Sequence, residues 1–259
     1  MRWEIKKSAP FGALIRAEGK VQDIPSGFIQ ACLDTFSLVL IRGVKSPTRE
    51  EFLTFCKSYP KAKLLEWETG PVMEMKVDAN AKNYLFSNER VPFHWDGAFF
   101  KVPSILAFHC ITPPSTGAGG ETLFCNTSLI WDSATPSQKR TWRKLRLRYV
   151  TEKVAHYGGT VEVPLVDTHP KNGRTILRFA EAVESALNPV TLELFGLANE
   201  KQHRAALKEL VGLVYNPRFL QEVRWQEGDI LLADNHTLIH GRRAFKKSSP
   251  RHLRRIQIL

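Results

Sequence analysis

From residue 72 onward, turn residues cut the chain into short apolar pieces, and that punctuation confines it to a fold built from many short strands. Segments rich in branched and aromatic side chains run over 72–77, 105–110, 121–125, 145–150, 162–166, 175–178, 230–233 and 253–258, with Gly, Pro, Asn, Asp and Ser between them. This many strand-length pieces in succession predict a sandwich or barrel. Two longer stretches, 128–145 and 190–214, are expected to be helices. In the second, Leu192, Phe195, Leu207, Leu210, Val211 and Val214 are expected to be core. The start of the chain reads as α/β: a strand over 13–17, a helix over 25–35 with Ser26 as a possible cap, and a buried strand over 37–42 ending at Gly43. Thr48 stands three residues before Glu51, the spacing of a capping box. The helix it opens should bury Phe52, Phe55 and Cys56 on one face. The expected class is therefore α+β, mainly β. One domain over 1–259 is expected, with an α/β portion of about 1–60 and a β core of about 70–259 carrying a helical insert.

A chain of 259 residues buries most of the surface it exposes when unfolded, so it needs no disulfide or metal merely to hold together. With 43% hydrophobic and 24% charged residues, disorder and fibrous repeats are excluded. Cys32, Cys56, Cys110 and Cys125 are widely spaced, which suits reduced, buried thiols in a cytoplasmic protein. Residues 1–25 hold no apolar core of signal-peptide length, and the longest apolar run, 36–41, is far short of a membrane span. No membrane partner is expected. The net charge of +11 favours an anionic small-molecule partner.

Chemistry first shows at Phe93-His94-Trp95-Asp96-Gly97. In extended chain, side chains at i and i+2 point the same way, so His94 and Asp96 can share one metal ion while Trp95 turns away. Downstream, Ala233-Asp234-Asn235-His236-Thr237-Leu238-Ile239-His240-Gly241-Arg242 offers more imidazole. The strand-like 230–233 and turn-like Asp234-Asn235 argue against a helix that would pair His236 with His240, so His236 is read as structural. Two histidines and one carboxylate on one face of a metal form the facial triad of non-haem Fe(II) oxygenases. Structural zinc would want four ligands and usually sulfur, and no cysteine lies near either segment.

Gly119-Gly120-Glu121-Thr122, Arg251 eleven positions after His240, and the N-terminal Phe11-Gly12 segment complete a pattern in fixed order. Over nearly its whole length the chain resembles the taurine dioxygenase (TauD/TfdA-like) family of Fe(II)- and 2-oxoglutarate-dependent dioxygenases. The resemblance implies a double-stranded β-helix (jelly-roll) core with flanking helices. It implies iron held by His94, Asp96 and His240, and the distal carboxylate of 2-oxoglutarate held by Thr122 and Arg251. It implies O2 as oxidant, succinate and CO2 as co-products, and hydroxylation, desaturation or rearrangement of the primary substrate. Physics agrees: a carboxylate entering an apolar barrel is costly unless paired, and an Arg fork with a Thr hydroxyl supplies charge-assisted donors. Asp96 disfavours halogenation, which needs a small residue there.

Arg255 shares strand parity with Arg251 and Leu253, so it is expected in the same cavity near the substrate, with Arg254 solvated. Asn83, Tyr84 and Asn88 fall in 67–90, a candidate lid; His156, Tyr157 and His169 fall in the central insert. Asn83, Tyr84, His156 and Arg255 are the chosen substrate-binding candidates. The motifs look most like biosynthetic members acting on amino-acid-derived isonitrile precursors. Taurine itself fits poorly, since Arg90 stands where resemblance to taurine enzymes would place Asn. Arg140, Arg143 and Lys144 on one helical face invite a nucleic-acid reading, but no nucleic-acid motif accompanies them and no such partner is expected. The competing class is a basic β-barrel binding module with a vestigial or zinc-filled pocket.

Overall fold

The computed structural model describes residues 3–78, 80–81, 83–154 and 157–259, the side chain of Val154 excepted. Its strands, in chain order, are β1 (Trp3–Lys7), β2 (Ala13–Ala17), β3 (Leu38–Arg42), β4 (Met73–Lys76), β5 (Val91–His94), β6 (Ile105–Thr112), β7 (Thr122–Asn126) and β8 (Arg146–Val154). There follow β9 (Tyr157–Pro164), β10 (Val166–Thr168), β11 (Thr175–Leu177), β12 (Thr191–Phe195), β13 (Leu220–Val223), β14 (Ile230–Asp234), β15 (Leu238–Arg242) and β16 (His252–Ile258). The helices are α1 (Ser26–Phe36), α2 (Arg49–Lys57), α3 (Thr127–Ser133), α4 (Pro136–Trp142) and α5 (Glu200–Val214).

Strands with large apolar groups on both faces must be covered on both sides, and the layers follow from that demand. A seven-stranded sheet, β1-β2-β3-β14-β6-β16-β4, faces a four-stranded sheet, β13-β7-β15-β5. Alternation along β14 sends Leu231 and Ala233 inward and Ile230 and Leu232 outward. The inward set meets Phe108, Phe124, Leu238 and Leu253 between the sheets. The outward set packs under α1 and α2. The outer face of the smaller sheet, with Phe93, Leu123, Cys125 and Ile239, is covered by α3, α4, α5 and a third sheet, β12-β8-β9. Two facing sheets, antiparallel except for the parallel β2–β3 pair, with helices outside are the expected jelly roll.

The Thr48–Glu51 capping box forms as expected, and α2 buries Phe52, Phe55 and Cys56. Several expectations change. Pro25, not Ser26, stands at the N-cap of α1, without a side-chain cap bond. The helix expected over 128–145 is two helices, because Thr135 caps a new one with Pro136 in its first turn. The helix expected over 190–214 begins only at Glu200. Leu192 and Phe195 lie instead on β12, paired with β8. The strand expected over 162–166 straddles the end of β9 and the start of β10. The basic stretch is divided: Lys139 and Arg143 lie over Trp131, while Arg148 on β8 pairs with Glu162 and Glu193.

Candidate metal centre

β5 and β15 run antiparallel, and their register sets His94 directly opposite His240. Opposed residues on one face of a ladder come within side-chain contact, and the two imidazole centroids are 4.3 Å apart. β5 ends at His94, so Asp96 is delivered by a turn rather than by the extended chain anticipated from the i, i+2 spacing. Gly97 makes that turn possible: its φ is +82°, and a Cβ there would sit 2.1 Å from the Lys101 carbonyl oxygen. Trp95 turns away into the outer core, as expected. The ligand atoms of His94, Asp96 and His240 all lie within 4.8 Å of one another. His94 Nε2 is 3.5 Å and His240 Nε2 3.8 Å from Asp96 Oδ1.

Neighbouring groups hold these side chains ready. His94 Nδ1 donates to the Pro92 carbonyl at 3.0 Å, which turns Nε2 toward Asp96. Asn235 grips the Asp96 peptide from both sides: its Oδ1 accepts from the Asp96 N–H at 2.9 Å, and its Nδ2 donates to the Asp96 and Pro103 carbonyls. The Asp96 carboxylate is met by Arg255, 2.9 Å from Oδ2, and by Gln257 Nε2. Burial alone would raise its pKa; the Arg255 charge, with His94 and His240, outweighs that and holds the carboxyl well below its usual range. Burial pushes His240 down to about 3, so its ring is neutral at ordinary pH. A neutral imidazole and an ionised carboxylate are the protonation states metal ligation requires.

Arg251, just before β16, is buried, and among the described residues its guanidinium donates to the Gly120 carbonyl at 3.2 Å and to Thr122 Oγ1 at 3.4 Å. Trp225 Nε1 also donates to Thr122 Oγ1. No carboxylate among the described residues pairs with Arg251, and burial, with Arg242 adding, pushes it down to about 9. A buried cation without an anion is costly and marks where an anionic ligand belongs. Arg251 reaches this place from the opposite sheet: β16 lies beside β6, whereas Thr122 on β7 adjoins β15. The strand that follows Arg251 is therefore no sheet neighbour of β15, which carries His240. The donor set, hard oxygen plus two imidazoles with no cysteine in the cluster, suits iron(II), and the unmatched Arg251 suits a carboxylated co-substrate.

Arg255 is buried, as its parity with Arg251 predicts, and lies against the Asp96 carboxylate. Arg254 points outward but is not simply solvated, since it pairs with Glu74 on β4. Tyr84 and Tyr157 both lie within electrostatic reach of Asp96 and Arg255. Asn83 Oδ1 is spent on the Leu85 N–H, capping the turn that carries Tyr84. Asn88 bonds the Phe245 carbonyl. His169 is a buried partner of Asp234, and His236 accepts from Arg178, so both are structural. His156 lies outside the described residues. Sequence reasoning missed Asn235, Gln257, Trp225 and Arg242. Only Gln257 carried a usable signal, the alternation 251, 253, 255, 257.

A jelly roll with a two-histidine, one-carboxylate face and a buried anion site defines a non-haem iron, 2-oxoglutarate-dependent oxygenase. The family model described as "Taurine catabolism dioxygenase TauD, TfdA family" matches residues 4–257. The chain belongs to that family. It is 43% identical, over 100% of its own length and 96% of the relative's, to 3-((Z)-2-isocyanoethenyl)-1H-indole synthase of Fischerella ambigua (strain UTEX 1903). It is 35% identical to tyrosine isonitrile desaturase of Pseudomonas aeruginosa, over 96% of this chain and 87% of that one. A solved structure of PvcB, described as an Fe, alpha-ketoglutarate dependent oxygenase from an isonitrile synthetic pathway, superposes with a TM-score of 0.80 at 28% identity. The match covers 99% of this chain and 91% of that one. Among the described residues no helix is long and apolar enough to cross a membrane.

Proposed function

We propose that the chain oxidises an aromatic amino-acid isonitrile that still bears its carboxylate, forming a carbon–carbon double bond in its side chain. The observation that carries this reading is the convergence of His94, Asp96 and His240 opposite an unpaired Arg251, in a chain 43% identical to an isocyanoethenyl-indole synthase. The greater identity to that relative than to the tyrosine isonitrile desaturase favours an indole ring. Iron(II), bound by His94, Asp96 and His240 together with 2-oxoglutarate and O2, supplies the oxidising power to remove hydrogen from an unactivated carbon.

The protein's part is position, dryness and charge. Arg251 and Thr122 take the far carboxylate of 2-oxoglutarate and so set its other end toward the metal ligands. Arg255, whose Nε has no partner among the described residues, meets the substrate carboxylate. Tyr84 and Tyr157, both within electrostatic reach of Asp96 and Arg255, wall the chamber and bind the substrate. Phe108 and Phe124 pack against His240 and exclude water from its inner side. The close approach of His94, Asp96 and His240, with Arg251 bonded to Thr122, supports the oxygenase over the basic binding module. Four free cysteines suit a reducing, cytoplasmic setting.

Anaerobic addition of Fe(II) and 2-oxoglutarate should give a visible charge-transfer band. With O2, the isonitrile of tryptophan should lose two hydrogens, with or without carbon dioxide, as succinate forms in equal amount. Succinate formation unchanged by tryptophan- and tyrosine-derived isonitriles would overturn the substrate assignment.

A further inference from the structure

Arg242 makes no ion pair among the described residues, although it is buried. Its guanidinium is spent on backbone instead. Nη1 donates to the Leu85 carbonyl at 3.0 Å, and Nη2 lies 2.7 Å from the Ser87 carbonyl, 2.6 Å from that of Glu89 and 3.4 Å from that of Tyr84. These four carbonyls belong to one short segment that forms no sheet ladder. The segment is stitched a second time: Asn88 Nδ2 donates to the Phe245 carbonyl, and the Phe245 N–H donates to the Asn88 carbonyl at 3.1 Å. Arg242 is two residues beyond His240 on β15, and the pairing with β5 slips between them. The strand that presents a metal-binding imidazole thus also grips the segment ending just before β5. Tyr84 is the residue of that segment that lies within reach of Asp96, Arg255 and Tyr157.

We infer that Arg242 is a positioning residue that fixes the 84–89 segment so that the Tyr84 hydroxyl meets the substrate beside the metal ligands. The functional half rests on the oxygenase reading; the mechanical half does not. Arg is suited to the task because five N–H donors in a planar fork can serve several carbonyls at once. A compact ammonium at the same place serves fewer of them in a fixed direction. Holding a substrate-facing group to within about an ångström matters, since a misplacement of that size can cost on the order of a hundredfold in rate. Arg242 touches neither substrate nor metal; it acts through Tyr84.

The test uses the whole chain with Arg242→Met, Arg242→Lys and Tyr84→Phe. In ligand-free protein, amide hydrogen exchange over 84–90 should quicken at least tenfold in Arg242→Met and by less in Arg242→Lys. The β7–β15 ladder should keep wild-type protection in both. Binding of the isonitrile of tryptophan to protein loaded with Mn(II) and 2-oxoglutarate should weaken at least tenfold in Arg242→Met and in Tyr84→Phe. Binding of 2-oxoglutarate should stay within threefold throughout, and Tyr84→Phe should leave exchange unchanged. Exchange over 84–90 that stays at the wild-type rate, or β7–β15 protection lost along with it, overturns the inference. Should Arg242→Met not fold, Arg242→Lys decides by the same exchange criterion. Should the wild-type chain fail to bind the isonitrile, the substrate assignment falls while exchange still decides the staple.

Discussion

Arg251→Met separates ligand binding from stability, because the two should move in opposite directions. In metal-free protein the wild-type guanidinium keeps two long hydrogen bonds among the described residues, at 3.2 and 3.4 Å, each worth about 1 kcal/mol. Against them stands the desolvation of a buried cation, which costs several kcal/mol when no anion is paired with it. Methionine keeps much of the apolar stem and removes the charge. The metal-free variant should therefore match the wild type or gain up to ~2 kcal/mol, a rise of a few degrees in Tm for a chain of this size. In contrast, Arg42→Met leaves the buried Asp229 without its partner at 2.7 Å and should cost ~3 kcal/mol. Loss of charge-assisted bonds to the distal carboxylate of 2-oxoglutarate is worth ~1.5–3 kcal/mol, so its Kd should rise roughly 10- to 150-fold. Thermal unfolding of metal-free protein gives the first quantity, and calorimetric titration of 2-oxoglutarate into Mn(II)-loaded protein gives the second. Arg251→Met that unfolds as early as Arg42→Met, or that binds 2-oxoglutarate within threefold of wild type, would refute the reasoning.

Asn235→Ala removes two hydrogen bonds that hold the Asp96 backbone and one to the Pro103 carbonyl, and should weaken Mn(II) binding by about 10- to 100-fold; an unchanged titration would show that the turn holds itself. Gly97→Ala forces a side chain onto a backbone with φ +82° and into the Lys101 carbonyl, so metal binding should fail in any folded fraction, as read by Mn(II) titration of the purified variant. Burial lowers His109 and His236 to about 4, so between pH 6.5 and 4 the unfolded chain binds protons that the native one refuses. Stability should thus be full above pH 6.5 and fall with pH below it, by up to ~1.4 kcal/mol per unit for each group. Urea midpoints at pH 7, 6 and 5 measure this, and a flat series would contradict it.

Local patterns carried much of the architecture. The capping box at Thr48 and Glu51 is readable because both partners sit within one helical turn. The parity that groups Arg251, Leu253, Arg255 and Gln257 is readable because a strand alternates whatever its neighbours are. Misreadings arose where a partner decides. Leu192 and Phe195 suit a helix by spacing, but pairing with β8 draws them into a strand. Sequence correctly brought His94 and Asp96 together, though the means is a glycine-dependent turn rather than extended chain.

Sequence alone determined which chemical groups were available and how each repeats along its own strand, since that follows from covalent geometry within a few residues. Tertiary structure decided that Arg251 crosses from the opposite sheet without an acidic partner among the described residues, and that Arg242 grips the backbone carrying Tyr84. Those outcomes depend on ladder register and on which polar groups are left unmatched once the two sheets close. Both are properties of segments more than a hundred residues apart, and no local pattern encodes them.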